Sequence, residues 1–214
     1  MNADIRHQFD RMLASRFEAL HLRRMSRGLY VQSENGVLWQ GVLVTFNMRK
    51  GALVAQPGVA VFCPLVDSIL AEYFRSVQNN NRYLSGFGKL GVPVLICPLY
   101  DLISRCKSSL RNPFSYSIET ASRIEEAAQL VAEDFLKVRE CFFHGAKTLE
   151  ELRDRLKVDD SIGARMREIV VAYHLSGRKI SGAEIERIVG LNPNEMTRKF
   201  VEYFKSEIGA EREI

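Results

Sequence analysis

The chain contains two closely similar segments, CPLVDSI at Cys63–Ile69 and CPLYDLI at Cys97–Ile103. Each segment follows an apolar run that opens with Gly-Val, at 58–62 and at 91–96. Proline fixes φ near the helical value and needs no amide partner at the first position of a helix. Each copy therefore predicts a buried strand that turns at a proline into a helix.

An antiparallel meander is predicted around the first copy. The Asn-Gly pair at 35–36 is a strong hairpin turn signal. Pro57 interrupts the apolar run that follows, which suggests a bulge or an edge position. Consecutive strands joined by short turns favour antiparallel pairing. A short first strand is predicted to start at Leu29. Three further strands are predicted at 37–46, 53–62 and 92–96.

Apolar residues at spacings of three and four predict helices over most of the remaining chain. The spacing of a capping box occurs at Ser122 and Glu125, and again at Thr148 and Glu151. Pro193 is expected at the first position of the last helix. The predicted helices cover 4–22, 65–77, 99–110, 124–142, 148–156, 162–176, 182–189 and 193–208.

Together these elements predict an α+β fold. We expect a mostly antiparallel sheet of four or five strands, covered by helices and followed by a helical C-terminal extension. A joint at 159–161 divides the prediction into an α+β domain at 1–158 and a three-helix extension at 159–214. Polar residues at 78–81 predict a loop, and the glycines at 86, 88 and 91 predict that the loop after it is flexible.

Composition restricts the class of protein. A chain of 214 residues can bury a substantial core, and 46% hydrophobic with 26% charged residues is ordinary for a globular protein. No apolar run reaches the roughly 18 residues of a membrane span, and the N-terminus lacks the apolar core of a signal peptide. We expect a cytoplasmic protein whose four cysteines are reduced.

The net charge of +4 is unevenly distributed. Residues 1–110 carry 13 basic and 7 acidic side chains, which gives +6, whereas 111–214 carry 17 and 19, which gives −2. Much of the excess is an arginine run near the N-terminus, which is either the solvated face of a first helix or a surface for phosphates or an acidic protein. The arginines expected to bind a partner are Arg16, Arg23, Arg24 and Arg27.

Candidate chemistry is sparse. The twin segments place Cys63, Asp67, Cys97 and Asp101 at strand-to-helix turns, but Cys-x3-Asp is not a zinc-ligand spacing, and an aspartate in the first turn of a helix is explained by the helix dipole. His144 could act as a general base, yet no nucleophile is positioned for it. We therefore predict no enzyme, no catalytic residue, no cofactor and no metal; Asp67, Asp101 and His144 are the candidates if catalysis occurs.

Residues 182–206 resemble a helix-turn-helix. The segment IERIVGLNPNEMTRKF at 185–200 has a helix, a glycine at the turn and a capped second helix. The resemblance implies DNA binding through Thr197, Arg198 and Lys199 at the start of a recognition helix. A plain helical hairpin is the alternative, because 178–207 hold six basic and five acidic residues.

Residues 1–156 also resemble a family of small bacterial α+β proteins of unknown function. The likeness is carried by element order, by the GVAVF run at 58–62, and by Phe142-Phe143 before the TLEEL run at 148–152. Some relatives in that family are thought to be immunity proteins that neutralise toxins. The resemblance implies non-catalytic binding of a protein partner, which is the function we predict; DNA binding is the alternative.

Overall fold

The computed structural model divides into two compact units. Unit 1 comprises Met1–Phe62 and Leu95–His144, and unit 2 comprises Cys63–Val94 and Gly145–Ile214. This division differs from the predicted boundary at 158/159, because the helix between the twin segments belongs with the C-terminal helices. The structure describes the ranges 2–33, 35–49, 51–78, 90–106, 110–159, 163–191 and 193–208. Residues 79–81, 86, 88, 160 and 161, for which loops were predicted, lie outside these ranges.

The described residues form an α+β fold, as predicted. The strands are β1 (Arg23–Ser26), β2 (Leu29–Ser33), β3 (Trp39–Arg49), β4 (Ala52–Phe62), β5 (Leu95–Pro98) and β6 (Ser117–Ile118). The helices are α1 (Asn2–Glu18), α2 (Pro64–Gln78), α3 (Leu99–Arg105), α4 (Ile124–Phe143), α5 (Leu149–Leu156), α6 (Ala164–Leu175), α7 (Gly182–Leu191) and α8 (Glu195–Tyr203). The four predicted strands are present, and β1 and β6 are additional.

All strands of unit 1 pair antiparallel in one sheet. The order is β1-β2-β3-β4-β5, and β6 also pairs with β4. The β3–β4 ladder runs without a bulge, so of the two alternatives predicted for Pro57 the edge position is the one observed. Pro57 lies on β4 between the part paired with β5 and the part paired with β6. Its missing N–H is tolerated there because that stretch is a local edge.

Helices α1 and α4 contribute to the core of unit 1. The ring of Phe17 on α1 lies 4.9 Å from that of Tyr30 on β2 and 5.6 Å from that of Phe135 on α4. Phe9 and Phe46 make a similar edge contact at 5.8 Å. Complete burial of one such aromatic side chain contributes about 1.5–3 kcal/mol. The predicted seam of α4 is buried at 124, 128, 131, 135, 138 and 142.

One predicted capping box forms in part, since the Glu151 carboxylate accepts from the Lys147 amide at 2.7 Å, and the other does not form. Thr148 Oγ1 accepts a hydrogen bond from the Glu151 amide at 3.2 Å, as expected at the start of α5. Helix α4 has Arg123 at its N-cap and no side-chain cap, so the Ser122–Glu125 box is wrong. A 3-10 turn at Ala121–Arg123 precedes α4, which places the N-cap one residue after the serine.

The twin segments do turn from strand to helix at a proline. However, Ile96 on β5 is 53% exposed, so the second strand is not buried as expected. In the antiparallel ladder Gly58 pairs with Pro98 and Val61 with Leu95, so β4 and β5 leave the ladder at opposite ends. Among the described residues, no group of three or more His, Cys, Asp or Glu is arranged to hold a metal ion.

Unit 2 contains α2 and α5–α8. The ring of Tyr73 on α2 lies 5.1 Å from that of Phe200 on α8, and Tyr173 on α6 meets Phe204 at 5.2 Å. Asn194, not Pro193, caps α8: its Oδ1 accepts from the Thr197 amide at 2.8 Å. The expectation that Pro193 is the first residue of the helix is therefore wrong. Asn194 follows it and supplies a side-chain N-cap, which proline cannot.

Candidate partner-binding surface

The arginines expected to bind a partner do not form one group. Arg16 lies on α1 and is 28% exposed. Its guanidinium donates to Gln129 Oε1 and, at 3.5 Å, to Glu125 Oε1, both on α4. Arg16 therefore ties α1 to α4 and has little capacity left for a partner.

Arg23 and Arg24 lie on β1, which is an edge strand. Within the described sheet β1 pairs with β2 alone, and all four of its residues are exposed. Arg23 is opposite Val31 and Arg24 is opposite Tyr30, so their side chains leave on opposite faces of the sheet. The register shifts between Arg24 and Ser26, which marks a β-bulge or a local irregularity.

Asp10 on α1 holds this edge in place. Its carboxylate is buried and accepts hydrogen bonds from the Gly28 amide at 2.8 Å, from Tyr30 Oη at 2.6 Å and from the Arg24 guanidinium. Burial, and then the hydrogen bond to Asp10, raise the pKa of Tyr30 well above its usual value, so the phenol stays a neutral donor. Gly28 takes φ +74°, which favours glycine in the turn between β1 and β2.

Arg27 is the third arginine of this edge, in the turn that follows β1. Its Nη2 lies 2.8 Å from His7 Nε2 on α1. No acidic residue occurs from Ala19 to Ser33, between Glu18 and Glu34, so this stretch of sequence is itself basic. We call Arg23, Arg24, Arg27 and the outer edge of β1 the β1 surface.

A groove borders the β1 surface. It has a volume of about 490 Å³, within the range of binding clefts. Its lining residues come from the end of α1, the following turn and the start of β1: Ala14, Glu18, His21, Leu22, Arg23 and Arg24. His21 adopts φ +64° in the turn, which is the left-handed region that few side chains take up. The groove gives this edge a concave surface in which apolar Ala14 and Leu22 lie beside two arginines and one carboxylate, that of Glu18.

The residues expected to contact DNA are differently placed. Thr197 is fully buried, so the expectation that it faces outward is wrong. It belongs to the inward stripe with Phe200, which follows at the three-residue spacing of one helical face. Arg198 is exposed. Lys199 is exposed too, but its Nζ lies 2.7 Å from Glu195 Oε1.

Other cations of α7 and the turn after α8 also face carboxylates. Arg187 Nη2 lies 2.8 Å from Glu184 Oε1, and Lys205 Nζ lies 3.5 Å from Glu186 Oε1. The hydrogen bond from Arg187 lowers the pKa of Glu184, which keeps that carboxylate charged. Pairing of this kind reduces the positive field that a phosphate backbone requires.

The catalytic candidates serve the fold or stand apart. Asp67 Oδ1 accepts from the Val92 amide at 2.8 Å, and burial raises the pKa of this carboxyl. Burial likewise raises the pKa of the Cys63 thiol, which disfavours a reactive thiolate. Asp101 lies on α3 in unit 1, and His144 is exposed directly after α4.

Sequence reasoning missed the buried carboxylates. Besides Asp10, Asp134 on α4 is fully buried and accepts from Arg111 Nε at 2.8 Å, Tyr116 Oη at 3.1 Å and Lys137 Nζ at 3.1 Å. In sequence, both aspartates look like ordinary polar positions of amphipathic helices. The one local signal is that Asp134 follows Glu133 and precedes Phe135, so it falls beside the apolar seam.

Comparison with known proteins adds no relative. No protein-family model matches the chain, and neither curated proteins nor solved structures give a match. Within the described ranges, every helix is too short or too polar to cross a bilayer.

Proposed function

We propose that this protein binds an acidic protein partner, without catalysis, through the β1 surface. One observation carries the proposal: all four residues of edge strand β1 are exposed, Arg23 and the following Arg27 are exposed cations, and no acidic residue occurs in the sequence from Ala19 to Ser33. Charged surfaces of one sign steer and select partners of the opposite sign. The bordering groove adds apolar surface, which charge alone does not supply.

A binding role also agrees with the state of the titratable groups. Asp67 is held by the Val92 amide, and Cys63 is buried with a raised thiol pKa. Neither is poised as a nucleophile or base facing a cleft. We propose action in a reducing cytoplasm, which the free thiols of Cys63, Cys106 and Cys141 support. A toxin as the acidic partner, which the immunity-type resemblance implies, stays a prediction.

DNA binding through α7 and α8 has weaker support. Thr197 is buried, and Lys199 faces Glu195. Arg198 and Arg178 are exposed cations of unit 2, and they provide a matched control for the proposed surface.

The test compares two charge-reversed proteins of equal net charge. Arg23→Glu with Arg27→Glu alters the β1 surface, whereas Arg178→Glu with Arg198→Glu alters unit 2 by the same amount. Arg24 is left unchanged because it is bound to the buried Asp10. The probes are a fluorescein-labelled decaglutamate peptide and a 20-base-pair DNA duplex, followed by anisotropy at low and physiological salt.

We expect the first pair to weaken decaglutamate binding roughly 5- to 30-fold, since exposed ion pairs contribute about 0.2–1 kcal/mol each and reversal adds repulsion. The control pair should leave it within twofold. Equal losses in both proteins would show a net-charge effect and overturn the proposal. Duplex binding that only the control pair abolishes would establish the DNA alternative instead.

A further inference from the structure

We infer that the acidic partner binds as an extended strand added to the outer edge of β1. This inference rests on the proposed function and specifies its binding mode. Strand β1 pairs with β2 alone within the described sheet, and its residues are exposed. An exposed edge strand offers unpaired backbone donors and acceptors to an incoming strand.

The placement of the two arginines predicts the partner's sequence. Arg23 and Arg24 are adjacent and point to opposite faces of the sheet, as their partners Val31 and Tyr30 show. Residues directly opposite in a new ladder lie about 4.5–5.5 Å apart at Cβ. Arg24 already binds Asp10, but its side chain is 45% exposed and its guanidinium has further N–H donors. An added strand can therefore reach both guanidinium groups only with two adjacent acidic residues, one on each face. Acidic residues separated by one position would share a face and leave one arginine unmatched.

The bordering groove predicts a third feature of the partner. It is lined by Leu22, the residue before Arg23, and by Ala14 of α1. If the pairing between the partner strand and this chain extends from Arg23 to Leu22, the partner residue next to its two acidic residues lies opposite Leu22. A partner segment should therefore carry an apolar residue next to its two acidic residues, and the groove of about 490 Å³ can accept that side chain.

A second copy of the chain fits this edge poorly. A second copy would bring its own basic stretch, which has no acidic residue from Ala19 to Ser33, to this basic edge, and like charges placed near each other are destabilising. The short length and the register shift after Arg24 further restrict the ladder to about three or four residues. Shortness and irregularity restrict any added strand, but charge disfavours self-pairing and attracts an acidic strand to Arg23 and Arg27, with Glu18 as the one carboxylate that lines the groove.

The experiment uses the full chain and four labelled heptapeptides. TVEEVTG has adjacent glutamates, and TEVEVTG has the same composition with the glutamates separated. Two further versions of TVEEVTG carry an N-methyl group on the first or on the second glutamate amide. N-methylation removes one donor and blocks pairing on that side while leaving charge unchanged. In an added strand, one of the two amides faces β1 and the other faces solvent.

We expect TVEEVTG to bind at least fivefold more tightly than TEVEVTG. One N-methyl version should lose at least tenfold and the other less than threefold. Hydrogen exchange at the β1 amides should slow in the complex.

Equal binding of all four peptides would overturn strand addition and leave the proposed function standing, because charge alone would then explain recognition. Absence of binding by both unmethylated peptides, together with no response to Arg23→Glu/Arg27→Glu in the decaglutamate assay, would remove the proposed function as well. Concentration-dependent dimerisation of the free protein that competes with TVEEVTG would assign the edge to a second copy and overturn the inference.

Discussion

Replacing Asp10 with alanine should destabilise unit 1 by about 2–4 kcal/mol. The buried carboxylate accepts from the Gly28 amide, from Tyr30 Oη and from Arg24, and bonds to a charged group contribute about 1.5–3 kcal/mol each. Two of these three lost hydrogen bonds should cost less than that. Tyr30 Oη also lies 3.0 Å from the Asp10 carbonyl oxygen, which remains, and the Arg24 side chain is 45% exposed and returns to water. The Gly28 amide is left buried and unpaired, which costs about 1–3 kcal/mol by itself.

Urea unfolding followed by the fluorescence of Trp39 measures this effect. Trp39 is the single tryptophan of the chain and lies on β3, so its emission reports on unit 1. Asp4→Ala is the matched control, because Asp4 is an exposed aspartate of the same helix and should lose less than about 0.5 kcal/mol. A Tyr30→Phe background should reduce the cost of Asp10→Ala, since the two side chains share a hydrogen bond. A loss below 1 kcal/mol for Asp10→Ala would refute the reasoning.

Two further predictions concern packing and buried charge. Gly41→Ala should lower the free energy of unfolding by about 3 kcal/mol, because an added Cβ would lie 2.0 Å from a backbone oxygen of β2. Gly190→Ala on α7 should raise it by about 0.5–1 kcal/mol, because an added Cβ there meets no atom within 4 Å. The urea midpoints of the two variants check both signs. Glu168→Gln should cost about 3–5 kcal/mol by leaving the Arg165 guanidinium, 2.9 Å away, buried without its counter-charge. The double variant Arg165→Met/Glu168→Leu should lose less stability than the sum of the losses in Arg165→Met and in Glu168→Leu. Losses that simply add would contradict an ion pair between the two side chains.

Long periodic elements could be predicted from the sequence because burial leaves a regular pattern. Helix α4 lies at 124–143, within one residue of the seam that predicted it. Strand β4 at 52–62 is similarly predicted from the apolar run at 53–62, despite its interruption at Pro57. These elements bury one or both faces, and burial is what imposes hydrophobic periodicity.

The candidate surface could be predicted only in part. Three of its arginines stand out as a charge run, but the strand that carries Arg23 and Arg24 does not, because all four residues of β1 are exposed and show no apolar alternation. The role of Asp10 was equally hidden. A buried carboxylate and a surface carboxylate have the same sequence signature until the partners Gly28 and Tyr30 are brought to it by the fold.

The placement of Thr197 illustrates a different limit. The helix-turn-helix resemblance places it on an exposed face, whereas α8 buries it with Phe200 and Val201. A short motif fixes the approximate positions of two helices but not the rotation of the second about its axis. One residue of rotation changes the facing direction by about 100°, given 3.6 residues per turn.

Both units are discontinuous in sequence, and this has a consequence for synthesis on the ribosome. Unit 1 ends at His144, but α2, made much earlier, belongs to unit 2 and contacts Phe200 through Tyr73. Unit 1 can therefore complete its core before the C-terminal helices of unit 2, against which α2 packs, have been translated. Nascent chains halted soon after residue 144 should thus expose the apolar side of α2 to chaperones until α6 and α8 emerge and pack against it.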